Sequence, residues 1–181
     1  MDLDLVRGRR QPDQRTCGPS SLVAARILVD PTYRPADFAR AAHDLHRTLT
    51  RPVAFGHQQL PWPRALGTPP WAAARAMTAF TGRTYRTRVL RWGDRARVLA
   101  RLEAALAQDL PCPLYVGSTW LPRHVVLAAG SAPEGLTVFN PSSGAVVSLD
   151  RAALTGGRLG TTGRWTVPWF AVLPTVGTPA G

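Results

Sequence analysis

Cys17 stands where the polar segment Gln11-Pro12-Asp13-Gln14-Arg15-Thr16 passes through Gly18-Pro19 into the largely apolar run from Leu22 to Val29. Proline suits the first turn of a helix, where its missing N–H costs nothing, so the pattern predicts a helix starting at or just after Cys17. The unpaired amides and positive dipole end of such a helix favour thiolate over thiol, and can lower a free cysteine pKa from about 8.5. Used as a nucleophile, the sulfur needs a base, a group that orients the base, and donors for an oxyanion. Two residues far along the chain have suitable types. His124 opens the apolar run His124 to Gly130, and Asn140, followed by Pro141, closes Leu136 to Phe139. With Ser131 to Gly135 as the turn, a hairpin pairs the start of the first run with the end of the second, which sets imidazole beside carboxamide. A lone cysteine is more often a small buried hydrophobe. The company of His124 and Asn140 lifts Cys17 above that reading and makes Cys, His, Asn a sterically coherent triad.

Gln11, six positions before Cys17, together with Cys17-Gly18-Pro19, the strand-initial His124 and the Asn140-Pro141 pair, resembles the papain-like cysteine peptidases. The nearest variety is the peptidase domain that trims double-glycine leaders in bacteriocin-exporting transporters, with its soluble relatives. The likeness runs from about Gln11 to Pro141 as a pattern of key residues, without continuous similarity. It implies a bacterial thiol protease with Cys17 as nucleophile, His124 as base, Asn140 as orienter and Gln11 as side-chain oxyanion donor. It implies a peptide or protein substrate and neither metal nor organic cofactor. Transporter peptidases usually carry aspartate where Asn140 stands, and papain carries asparagine; either can hold an imidazole. Gln14 lies nearer to Cys17 and rivals Gln11 for the oxyanion role, although the spacing favours Gln11. The same thioester chemistry also serves acyltransferases, transglutaminases and deamidases, toxin or effector domains among them. A non-catalytic relative would bind a peptide in the cleft.

The elements that must position these residues follow from periodicity. After the nucleophile helix, a second runs from Pro35 to His46, with Phe38, Ala41, Ala42 and Leu45 inward and Arg40, His43, Asp44 and Arg47 outward. His43 and His46 have chelate spacing but no convincing third ligand, so they read as part of a solvated face. Thr50 to Pro69 has no period and is either a rim of the substrate cleft or an insertion over the core. Pro70 to Phe80 is a helix stopped by Gly82, Thr84 to Leu90 alternates like a strand, and Asp94 to Gln108 forms another helix. From Pro111 on, the chain reads as strands: Cys112 to Gly117, His124 to Gly130, Leu136 to Phe139, Ala145 to Leu149 and Trp165 to Leu173. Helices first and antiparallel strands afterwards give an α+β expectation, a helical part carrying the nucleophile packed on a C-terminal sheet with the active site between them, and the resemblance implies that this fold is papain-like. Trp120, shortly before His124, is expected as a wall of that cleft or as core.

Composition bounds the rest. A chain of 181 residues suits one domain, taken here as residues 1–181, and an apolar fraction of 45% rules out a disordered chain. Cys17 and Cys112 are expected to stay unpaired, since a disulfide would consume the nucleophile. The net charge of +11 comes from arginine alone, without any lysine. These arginines are scattered and accompany no readout motif, so nucleic acid is not an expected partner despite the charge. The acidic start Met1-Asp2-Leu3-Asp4 is no secretory signal and no run is long enough for a membrane span, which leads to a cytoplasmic expectation. Oligomeric state is left open.

Overall fold

Helix α1 (Cys17–Val29) is the axis of the helical half. In this computed structural model, which describes residues 1–133, 135–160 and 163–175, ten of the helix's residues between Cys17 and Ile27 are buried. A helix apolar on nearly every side must be covered on nearly every side. Helices α2 (Phe38–Leu49) and α3 (Pro70–Thr81) supply part of that cover and the sheet supplies the rest. The α2 start is capped by the Asp37 carboxylate, which accepts from the Arg40 N–H at 3.0 Å. Its buried stripe is Phe38, Ala42, His46 and Leu49. The expected stripe was one position off: His46 faces the interior, with Leu45 only half-buried. Pro70 opens α3, and Gly82 ends it in the left-handed conformation at φ 68°.

Between α2 and α3, the stretch without period holds a tight hairpin of β1 (Val53–Ala54) and β2 (His57–Gln58). Phe55 and Gly56 turn it, both at positive φ. Gln59 ties it down by donating from Nε2 to the carbonyls of Leu49 and Arg51, each at 2.8 Å. A single 3₁₀ turn, Arg64–Leu66, follows and leads into α3.

The sheet half is antiparallel throughout. Its strands are β3 (Tyr85–Val89), β4 (Cys112–Gly117), β5 (Pro122–Ala132), β6 (Gly135–Asn140), β7 (Ala145–Asp150) and β8 (Val167–Pro174), in the order β3-β8-β4-β5-β6-β7. The last strand therefore inserts between β3 and β4. Helix α4 (Arg95–Leu106) packs against the sheet with Val98, Leu99, Leu102, Ala105 and Leu106 buried. The helical part packed on an antiparallel sheet is the expected α+β architecture. One element departs from expectation: α5 (Arg151–Gly156) is helical within the region read as strands. Six residues are too few to show a period, although Asp150 caps the helix on the Ala153 N–H and Gly157 ends it in the left-handed conformation. Of the predicted β5–β6 turn, Glu134 lies outside the described residues, as do residues 176–181 of the expected domain. Among the described residues no helix is long and apolar enough to cross a membrane.

Candidate active site

Asp13 shapes the approach to Cys17. Its carboxylate accepts from the Arg15 N–H at 2.7 Å, and its carbonyl accepts from the Thr16 hydroxyl at 3.1 Å. This turn delivers Cys17 as the first helical residue, and Ser20 N–H closes the first helical bond on the Thr16 carbonyl. One helical turn along, the Ser21 hydroxyl donates to the Val125 carbonyl at 3.0 Å in a buried contact. The Val125 amide itself points at the Cys17 sulfur. Val125 is thus gripped from both its polar ends by α1, and its neighbour His124 is carried to the helix start.

His124 lies on β5 and Asn140 ends β6; both are buried. The two side chains meet at 2.9 Å between imidazole Nε2 and Asn140 Oδ1. The same oxygen accepts from the Ser142 N–H at 3.1 Å and the Ser142 hydroxyl at 2.8 Å. A backbone N–H can only donate, so the atom it meets is the amide oxygen, which in turn makes His124 Nε2 the protonated nitrogen. A neutral His124 then carries its lone pair on Nδ1. The start of the chain is stitched to this corner as well: Gln11 N–H donates to the Pro141 carbonyl and Gly8 N–H to the Gly144 carbonyl, each at 2.8 Å.

Cys17 and His124 line one cleft of about 350 Å³. Its far wall is the stretch that had no period, through Trp62 and residues 65–68, which places that stretch at the cleft rim. Closure there depends on Gly18, because a Cβ would sit 2.6 Å from Thr68 Oγ1 and 2.7 Å from Thr68 Cβ. Beneath it the Tyr115 hydroxyl donates to the Thr68 carbonyl at 3.1 Å.

Burial dominates the electrostatics. Loss of solvent pushes the Cys17 thiol above its ordinary value, against the opposing pull of the Val125, Gly18 and Cys17 amides. This corrects the expectation of a thiolate at the helix end: desolvation outweighs the helix amides. Loss of solvent likewise holds His124 below the ordinary histidine value, with the Asn140 bond acting the other way. The resting pair is therefore thiol and neutral imidazole.

The other expected residues fall as follows. Gln11 is not in the cleft; its Nε2 donates to the Asp13 carbonyl at 2.7 Å. Gln14 lines the cleft beside Cys17. Which glutamine turns inward depends on the Asp13 turn, which spacing alone does not reveal. Trp120 is neither cleft wall nor core, being 84% exposed. His46, expected on a solvated face, is buried, while His43 Nδ1 lies 3.7 Å from Asp13 Oδ2. Ser142 was not singled out from sequence, although its position two after an asparagine in a turn is the signal for such a bond. Cys17 and Cys112 are both free thiols. No group of three or more His, Cys, Asp or Glu residues among the described residues is arranged to hold a metal.

This fold, with a cysteine opening a helix against a histidine-bearing strand, is the papain-like α+β architecture. Known structures share it. The peptidase domain of Streptococcus ComA, a bifunctional ABC transporter involved in a quorum-sensing pathway, matches at a TM-score of 0.51 and 16% identity, over 94% of this chain and 99% of that one. A C39-like peptidase from Bacillus anthracis matches at a TM-score of 0.51 and 11% identity, over 91% of this chain and 94% of the other. No family model and no curated protein matches the sequence. At these identities the likeness establishes the fold alone, the one these peptidase domains share.

Proposed function

We propose that this chain is a cysteine peptidase or amide hydrolase that cleaves a peptide or protein through a thioester. The observation that carries this reading is that Cys17 and His124 line one cleft while Asn140 turns the imidazole to leave a lone pair on Nδ1. As the Cys17 sulfur attacks the scissile carbonyl, His124 Nδ1 takes the thiol proton and Asn140 Oδ1 stabilises the resulting imidazolium. The Cys17 N–H at the helix start and the Gln14 amide, which shares the cleft, receive the oxyanion; Gln11 supports the turn that presents them. Collapse breaks the C–N bond, and the imidazolium gives its proton to the leaving amine. Water, deprotonated by His124, then breaks the thioester and frees the acid and the thiol. An amine in place of water would make the same intermediate a route to acyl transfer.

The test is a peptide library incubated in heavy-oxygen water with wild type, Cys17→Ser and His124→Ala, and read by mass spectrometry. Expected are new carboxyl termini carrying heavy oxygen with wild type and none with Cys17→Ser. His124→Ala should slow cleavage by about 10²-fold or more. Amide products without heavy oxygen would mean transfer. Absence of any product, hydrolysed or transferred, overturns the enzymatic reading in favour of peptide binding.

A further inference from the structure

We infer that the groove between α3 and the outer edge of β3 is a second binding site, which takes an acidic, extended stretch of polypeptide. That this stretch belongs to the substrate rests on the peptidase reading; the binding does not.

The groove holds about 700 Å³, larger than the catalytic cleft. Arg75, Arg86 and Arg88 line it, and no carboxylate does. Among the described residues four arginines sit in ion pairs, Arg7, Arg26, Arg47 and Arg151, and none of these lines the groove. Among the described residues Arg86 and Arg88 have no carboxylate partner, and Arg75 meets only the Gln59 side-chain oxygen at 3.2 Å. Charge of one sign on one wall favours an anionic ligand.

The backbone says what kind. β3 is the terminal strand of the sheet, and among the described residues no strand pairs with its outer edge. Thr175 N–H donates to the Thr84 carbonyl and Leu90 N–H to the Trp169 carbonyl, so the even positions turn their polar groups to β8. Tyr85, Thr87 and Val89 then turn theirs outward. The Tyr85 N–H confirms the direction by donating across the groove floor to Thr78 Oγ1 of α3 at 2.9 Å. Thr87 is left with an outward N–H and carbonyl, the pair of groups that an added strand uses. Two copies of this chain pairing edge to edge would set Arg86 and Arg88 against their own kind, so the fitting strand is acidic. Phe55 and Trp71 give it an apolar floor.

The groove also adjoins the catalytic cleft. Trp71 lines the one and Trp62 the other, and their rings meet edge to face at 5.2 Å. A chain crossing this tryptophan pair reaches both sites.

The test uses Cys17→Ser protein, which cannot turn over, and fluorescent peptides of alternating Glu and Thr or alternating Gln and Thr, followed by anisotropy. The Glu peptide should bind about tenfold more tightly than the Gln peptide. Arg86→Glu with Arg88→Glu should erase that preference, whereas Arg40→Glu with Arg97→Glu, an equal charge change on α2 and α4, should retain it. If the reversed pair does not fold by circular dichroism, Arg86→Ala with Arg88→Ala is expected to give the same loss in smaller measure. Equal binding of both peptides overturns the proposal, as does a preference that survives at β3 or falls equally in the control. Displacement of the Glu peptide by a tighter-binding single-stranded oligothymidylate also overturns it. Cleavage of the peptide library by otherwise wild-type protein separates the two readings. No cleavage with intact Glu-peptide binding sinks the peptidase reading alone; Cys17-dependent cleavage with no Glu preference sinks the groove alone.

Discussion

At Asn140 Oδ1 three donors converge, one from His124 and two from Ser142. That oxygen is better supplied with donors than a neutral amide needs, and a carboxylate would suit the same place. Asn140→Asp puts a negative charge against the buried imidazole, which raises the His124 pKa. The His124 titration, read from its ring-proton NMR shifts across pH, should have its midpoint below the usual histidine value of about 6.5 in wild type and move up in Asn140→Asp. A wild-type midpoint above that value, or a downward shift in the variant, is the contrary result. The thiol makes its own prediction. Because burial raises it, the ultraviolet absorbance of thiolate, taken as wild type minus Cys17→Ser, should stay absent at neutral pH and appear only above about 9. A thiolate step in the neutral range would mean that the helix amides prevail after all.

At the scale of elements, the nucleophile helix, α3 and α4 were legible because each is long and marked at an end, by Gly18-Pro19 for the first, Pro70 and Gly82 for α3 and Asp94 for α4, and α4 adds a clear buried stripe. The meeting of His124 and Asn140 was legible too, since a hairpin of two apolar runs permits few registers. What stayed hidden depends on distant packing. Nothing in the β8 sequence says that it enters between β3 and β4, and a stripe shifted by one residue conceals the burial of His46. The contact of Gly18 with the cleft rim is of this kind and gives a test. Gly18→Ala drives a methyl into Thr68, either pushing the rim away from Cys17 or straining α1, at about 1–3 kcal/mol. Thr68→Gly removes the obstructing atoms, so the double variant should recover most of the loss seen with Gly18→Ala. Thermal melts of the four proteins in the cycle decide it, because strictly additive changes would mean that the two residues do not press on each other.

Taken as a whole, the molecule buries two of its four histidines, His46 and His124, and buries them neutral. Desolvation lowers both below the ordinary value of 6.5, although for His46 the Gly67 backbone and Asp13 act in the opposite direction. In the unfolded chain each binds its proton near 6.5, while in the folded chain each binds it only at lower pH. Between those limits the unfolded state holds more protons, so their contribution to stability is complete above 6.5 and is lost as the pH falls through the folded values. The slope is at most about 1.4 kcal/mol per pH unit for each histidine. Every proton added also enlarges a net charge that is already +11, and part of the acid loss is therefore general repulsion, which salt screens. Urea unfolding midpoints at mildly acidic and mildly alkaline pH, at low and high salt, separate the two effects. His46→Leu keeps the site filled, removes a buried Nε2 that has no hydrogen-bond partner among the described residues, and removes its proton. The acid slope should become shallower at both salt concentrations. An unchanged slope at high salt would assign the acid sensitivity to net charge and not to His46.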